Sequence, residues 1–416
     1  MTTPVSLGRN RELNIFLVGQ FVSYVGHSLL FIALPILVLD TTGSIARMGL
    51  TTACMGLGRF IGGLLAGPVV DRVDRRWCMI ACDLGCVLVN ALVPLFWLLH
   101  APGFWVLLVV AFAGNLLGTF FYVAQTAALP SLVDRTQLTA TNGRLMATHG
   151  VAYLVGPILS GLLCSTVGAA ATVGINAATF LVSALTLAMI RTPSRSTGDE
   201  ESRHQAGPAG RDALAGARFV WREPTLRPLI VLTIGEDLLY ISAIDLFIFY
   251  VKVTLEQGDQ MVGVVFTVAA GGAILGGVLA AGVRRRLGFG VSSLAALVLQ
   301  AVCMLAITES QAIALIAAAA CGYAFGNSAW QVYTHSIRQE LTPESLLGRV
   351  AAVFTVPVSG IAPLGAAGAT LVAERIGVTE VLTLMVTAYA GMVVFGALTP
   401  VRQRLPAPHH PESQSS

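Results

Sequence analysis

Long apolar stretches broken by short polar clusters run along the whole 416-residue chain. Taking apolar residues between charge or turn clusters gives runs at 13–39, 47–70, 78–99, 104–129, 143–165, 171–190, 227–251, 261–283, 289–308, 311–334, 350–372 and 378–399. A bilayer core of about 30 Å needs about 20 apolar residues per helix, so each run is long enough to cross. Lipid contact leaves only helices or a closed barrel. None of the runs alternates with period 2 as barrel strands do. The pattern predicts an all-α polytopic membrane protein with twelve transmembrane helices. The first run is too long for a cleavable signal peptide and lacks a small-residue cleavage site.

The longest polar stretch, about 191–226, divides six runs from six. It sets an N-terminal six-helix bundle (1–190), a cytoplasmic linker (191–226), a C-terminal bundle (227–400) and a disordered cytoplasmic tail (401–416). The linker opens with Ser194–Gly210, Ser/Gly/Pro-rich and charged, a composition that stays disordered. Asp212–Glu223 then reads as a helix with an apolar side (Leu214, Ala217, Val220, Trp221) and a basic side (Arg218, Arg222), stopped by Pro224. Such a helix either lies on the inner leaflet or is a plain linker.

Composition agrees with a lipid-covered chain. It is 55% hydrophobic and 11% charged, with mean hydropathy +0.76, against about 25% charged in soluble proteins. There is one lysine, Lys252, and no Gly-Lys-Ser/Thr phosphate loop, so this chain does not burn ATP itself. With the N-terminus inside, the cytoplasmic segments hold Arg9 and Arg11, Arg72, Arg75 and Arg76, Arg135 and Arg144, the linker arginines, Arg284 to Arg286, Arg338 and Arg349, and Arg402 and Arg404. The other side holds only Arg47, Lys252 and Arg375. Short arginine-rich loops stay in the cytoplasm, so both termini are placed there. The seven cysteines lie inside apolar runs with no Cys-x-x-Cys spacing. Cys78, Cys82 and Cys86 share one helix face, as small packing residues do; a thiolate metal site is the alternative. No cofactor and no metal is expected.

The halves echo each other. Gly62-Gly63-Leu64-Leu65-Ala66 recurs as Gly276-Gly277-Val278-Leu279-Ala280 at an offset of 214. Gly143-Arg144 recurs as Gly348-Arg349, and Gly156-Pro157 as Ala362-Pro363. In register, these matches support two pseudo-symmetric six-helix bundles. Parallel halves of inverted three-helix units describe a transporter with its site near the midplane and access by rocking.

The loop Gly67-Pro68-Val69-Val70-Asp71-Arg72-Val73-Asp74-Arg75-Arg76 resembles the signature of the major facilitator superfamily. Gly67, Asp71, Arg72, Arg75 and Arg76 match, and Asp74 stands where the general pattern has glycine. The Asp-Arg-x-Asp-Arg-Arg form resembles the drug:proton antiporter branch of macrolide and siderophore exporters. So do Ala33-Leu34-Pro35, Asp40-Thr41-Thr42-Gly43-Ser44, Pro343 to Val350 and Ala362-Pro363-Leu364-Gly365. The antiporter motif of the fifth span is similar to Gly143, Ala152, Gly156, Pro157, Ser160 and Gly161, a pattern that accompanies exporters. The fourth span has Asn115 and Gln125 but lacks the arginine of many relatives, and Gly26-His27 stands where the branch has Gly-Asp. The resemblance implies a cytoplasmic gate of Gly67, Asp71, Arg72, Arg75, Arg76 and Asp83. There Gly67 lets the second span approach the eleventh, and Asp71 sits near the positive helix end at Arg349.

Ionisable residues at membrane depth are functional candidates by default. His27, Arg59, Glu236, Asp237 and Asp245 qualify, with Tyr240 four residues after Glu236 on the same face. Proton and cationic substrate would compete for a carboxylate in such a cavity. A structural ion pair with Arg59 or with a helix terminus is the alternative for Glu236 and Asp237. His27 either replaces the usual acid or donates a hydrogen bond.

These readings lead to a secondary active transporter that exports an amphipathic small molecule (drug, antibiotic or siderophore) by proton-coupled alternating access. Its partners are the substrate, a proton as counter-ion and membrane lipid, with no nucleic acid, in a monomer of the bacterial cell membrane. A nutrient importer, uniporter or lipid translocator of the same fold is the alternative. A membrane enzyme or sensor has no nucleophile–base constellation to support it.

Overall fold

The computed structural model describes residues 10–99, 103–133, 137–190, 209–343 and 346–402. In chain order the helices are α1 (Arg11–Thr42), α2 (Ile45–Val70), α3 (Arg75–Leu98), α4 (Phe104–Leu132), α5 (Leu138–Val167), α6 (Ala169–Met189), α7 (Ala209–Arg222), α8 (Leu226–Phe249), α9 (Asp259–Leu287), α10 (Phe289–Glu309), α11 (Ile313–Leu341), α12 (Leu347–Ile376) and α13 (Val378–Leu398). A π-helical turn, Tyr250–Thr254, extends α8, and a 3₁₀ turn, Pro400–Arg402, follows α13. Arg9, Arg135, the linker up to residue 208, Glu344, Ser345 and the tail from residue 403 lie outside the described residues.

All the expected spans are helical, and eleven of the helices are long and apolar enough to cross a membrane. The remaining long helix, α8, has the length but carries Glu236, Asp237 and Asp245. Most helices overrun their apolar runs, because a helix continues until its end groups are satisfied, not until hydrophobicity stops. α1 begins where the Asn10 side chain accepts from Leu13 N at 3.1 Å and ends at left-handed Gly43. Gly43, Gly168, Gly288 and Gly377 all have positive φ, and each forms a one- or two-residue join between consecutive helices.

Contacts divide the chain into two units. The first comprises Met1–Gln205, Ile241–Thr267 and Ser359–Val378. In it α2 packs on α4, α1 on α5 and α6, and α3 on α4 and α6. Val70, Met79, Ile80, Ala128, Leu129 and Leu187 are among the buried side chains of its core where α2 leads into α3. The second comprises Ala206–Tyr240, Val268–Val358 and Thr379–Ser416, with α10 packed on α11.

The repeat is visible in packing. Gly58 and Gly62 of α2 abut the backbone of α4 at Phe112 and Leu116, and Gly272 and Gly276 of α9 abut α11 at Cys321 and Phe325. Both pairs are related by the same offset of 214. Small residues let the helix backbones meet in each half.

α7 covers most of the helix expected in the linker. Its Gly216 lies against Arg349 at the start of α12, where an added Cβ would meet the backbone at 2.8 Å. Val220 is buried and Arg218, Trp221 and Arg222 are exposed, so Val220 faces protein while Trp221 does not. Past α13, Val401 is buried and Gly290 abuts the backbone of Arg402.

Candidate functional site

Within the second unit, α8 places Glu236 and Asp237 opposite two amides of α11. Asn327 Nδ2 donates to Glu236 Oε1 at 2.8 Å, and Gln331 Nε2 donates to Asp237 Oδ1 at 2.9 Å. The amides are four residues apart and so project from one face of α11. Glu236 is 0% exposed, and its second oxygen has no hydrogen-bond partner among the described residues. Asp237 is partly accessible. Within this unit neither acid pairs with a cation among the described residues.

Tyrosines sequence reasoning did not single out complete the cluster. Tyr240 stacks on Tyr323 at 5.8 Å. The Tyr323 and Tyr389 hydroxyls are 2.8 Å apart, and Tyr389 donates to Gln300 Oε1 at 3.2 Å. Gln300 is buried and faces Glu236 as a second amide neighbour, although among the described residues neither Gln300 Nε2 nor Glu236 Oε2 makes a hydrogen bond of ordinary geometry. A polar residue in each of three apolar runs was the available signal. Nothing in sequence places the three runs together.

The other membrane-depth residues lie in the first unit. Asp245 is buried and accepts from Thr52 Oγ1 of α2 at 2.7 Å. His27 and Arg59, near the middles of α1 and α2, are accessible. Asp83 is 2% exposed, and its Oδ2 has no hydrogen-bond partner among the described residues.

The hairpin residues divide by role. The Asp71 N–H donates to Gly67 O at 3.1 Å, and its side chain is exposed, as is Arg72. Asp74 caps α3 by accepting from Trp77 N at 3.1 Å, which gives the departure from glycine a structural use. Arg75 donates to Ala127 O of α4 at 2.9 Å. Arg76 donates to Leu187 O and Ala188 O at 2.9 and 2.6 Å, satisfying end carbonyls of α6 where a cation is favoured. An added Cβ at Gly67 meets nothing within 4 Å. The close approach of α2 to α12 is made by Gly49 against Thr370 and Gly56 against Pro363.

The span-5 motif forms a packing seam. Gly156 abuts Ser28 of α1, and buried Ser160 donates to Leu29 O at 2.9 Å. Ala152 is buried. A Cβ on Gly161 would lie 2.7 Å from Asp259 O and 2.8 Å from Gly263 Cα, so α5 touches the start of α9 backbone to backbone. Pro157 has no N–H and leaves the Tyr153 carbonyl without its intrahelical donor. Gly143 has open space around it.

At the opposite end of α1 and α2 from the hairpin, Lys252 of the π turn contacts Asp40 and Asp259 at 2.6 and 2.5 Å. Just after Asp40 in the chain, Ser44 Oγ and Ala46 N donate to Glu374 of α12 at 2.9 and 3.0 Å, capping α2. Among the described residues no group of three or more His, Cys, Asp or Glu is placed to hold a metal ion.

A family model described as Major Facilitator Superfamily matches residues 16–367. The chain is 27% identical over 360 residues to the multidrug efflux pump Tap of Mycolicibacterium fortuitum, covering 85% of this chain and 87% of that protein. It is 25% identical over 405 residues to the enterobactin exporter EntS of Citrobacter koseri, covering 94% and 93%. A crystal structure of a bacterial homologue of the iron transporter ferroportin, in an inward-facing state, superposes with TM-score 0.73 at 17% identity, covering 94% of this chain and 99% of that one. That likeness concerns the fold alone.

Proposed function

The chain belongs to the major facilitator superfamily, and on that footing we propose that it exports an amphipathic small molecule in exchange for protons. It is a membrane-spanning transporter and not an enzyme. The carrying observation is the acid pair on α8: Glu236 and Asp237 are held by amide donors and by no cation among the described residues. A carboxylate bound to a lysine or arginine is fixed in its charged form. One bound only to an amide can take up a proton without stranding an opposite charge. Glu236, fully buried, is the proton carrier in this reading. The more accessible Asp237 meets donor groups of the substrate, and proton and substrate compete for the pair.

Export over import is supported by the Gly156–Pro157 seam of α5 and by relatives described as an efflux pump and an exporter. The arginine distribution supports both termini in the cytoplasm of a bacterial cell, and the protein acts as a monomer.

The test is transport in proteoliposomes with and without a pH gradient, using a substrate found by a resistance screen. Glu236→Gln with Asp237→Asn is expected to abolish gradient-driven transport while the protein still inserts. Gradient-driven transport at the wild-type rate in that double variant would overturn the reading. Gradient-independent flux in the wild type would favour a uniporter.

A further inference from the structure

The first unit holds a second polar cluster with the opposite electrostatic character. Arg59 is near the middle of α2 and His27 near the middle of α1, both accessible. Each lies within electrostatic range of the other, and Arg59 is also in range of Tyr153 of α5. From Tyr153 an aromatic pile runs back to α1. His149 lies 4.6 Å from Tyr153 and 4.7 Å edge-on from Tyr24. The Tyr24 hydroxyl donates to Gln125 Oε1 at 3.1 Å, and Gln125 Nε2 donates to Gln20 Oε1 at 2.7 Å. Gln20 Nε2 ends this chain as a buried donor with no partner among the described residues.

Arg59 makes no ion pair among the described residues. A guanidinium cannot shed its proton. At membrane depth it must face water or find an anion. Here α1 and α5 bring two histidines, His27 and His149, and two tyrosine rings to the neighbourhood of Arg59 on α2.

We propose that this cluster is a recognition subsite for a planar anion, a carboxylate on a flat aromatic or apolar body. Arg59 presents the donor fork that matches a carboxylate. Tyr24, His149 and Tyr153 supply the ring surfaces for the body. His27 adds a donor beside the fork. The proposal gives the substrate of the export reading an acidic group, and rests on that reading only for calling the ligand a substrate.

The test uses purified protein in detergent micelles and equilibrium dialysis, with naphthoate, naphthamide and naphthylmethylammonium as probes of one shape and three charges. No gradient is applied, so binding is read whether or not transport is proton-driven. Naphthoate is expected to bind most tightly. Arg59→Gln is expected to weaken it about tenfold, the range of a lost charge-assisted hydrogen bond, and to leave naphthamide unchanged. Arg59→Lys keeps the charge without the fork and is expected to fall between, which covers the case of Arg59→Gln failing to fold. Equal naphthoate affinity in wild type and either variant would overturn the subsite. Arg59-dependent naphthoate binding in a protein whose transport ignores the pH gradient would leave the subsite standing and remove the proton-coupling reading.

Discussion

Lys252 and Asp40 are 212 residues apart in sequence and 2.6 Å apart in the structure. The chain's only lysine thereby joins the end of α1 to the turn after α8, and through Asp259 to the start of α9. All three side chains keep some exposure, between 15% and 39%, so the cluster is neither a free surface pair nor a desolvated one.

Lys252→Met leaves Asp40 and Asp259 facing each other without their cation. The expected cost is about 1–2 kcal/mol, between exposed and buried pairs, read as a lower Tm in detergent. In an Asp40→Asn background the same change should cost less, because one of the two stranded charges is already gone. An unchanged Tm in the single variant would show that the cluster holds nothing.

The acid–amide pairs on α8 and α11 should differ in weight. Asn327→Leu leaves fully buried Glu236 without its donor, whereas Gln331→Leu affects the more accessible Asp237. Stranding a buried polar group costs about 1–3 kcal/mol. Initial transport rates are therefore expected to fall about tenfold in the first variant and less in the second. The reverse order would contradict the assignment of the proton to Glu236.

The span-5 motif separates into tight and open positions. Gly161→Val drives side-chain atoms into the backbone of α9 at Asp259 and Gly263, and overpacking of this kind costs about 1–3 kcal/mol. Gly143→Ala enters open space and should be neutral in folded yield. Size-exclusion yield and Tm of the two variants check this. Equal behaviour would remove the seam as the reason for glycine at position 161.

In the hairpin, Arg76→Ala removes donors from two end carbonyls of α6 and should lower Tm. Asp71→Asn keeps the exposed C-cap and its backbone bond. On the reading that its charge serves the cytoplasmic gate, it is expected to slow transport with normal insertion. Wild-type transport at equal expression would refute the gating role.

The repeated glycines were readable because helix contacts recur with the repeat: Gly62 and Gly276 sit at the same offset in sequence and against equivalent helices in space. The acids on α8 were readable because charge at membrane depth is costly and stands out against apolar neighbours. Tyr323, Tyr389 and Gln300 did not stand out. Each is one moderately polar residue in a separate helix, and its meaning depends on which helices touch. Gly67 shows the same limit, since the loop pattern singled it out while the tight contacts with α12 fall to Gly49 and Gly56.

The sequence by itself determined the helical class, the transmembrane character of the runs and the candidate charges, because these follow from local hydrophobicity along the chain. Only the tertiary structure decided who partners whom: amides for Glu236 and Asp237, carbonyls for Arg75 and Arg76, Asp40 and Asp259 for Lys252, and, among the described residues, no ion pair for Arg59. Pairing depends on contacts between helices distant in sequence, and such contacts leave no periodic trace in a single chain.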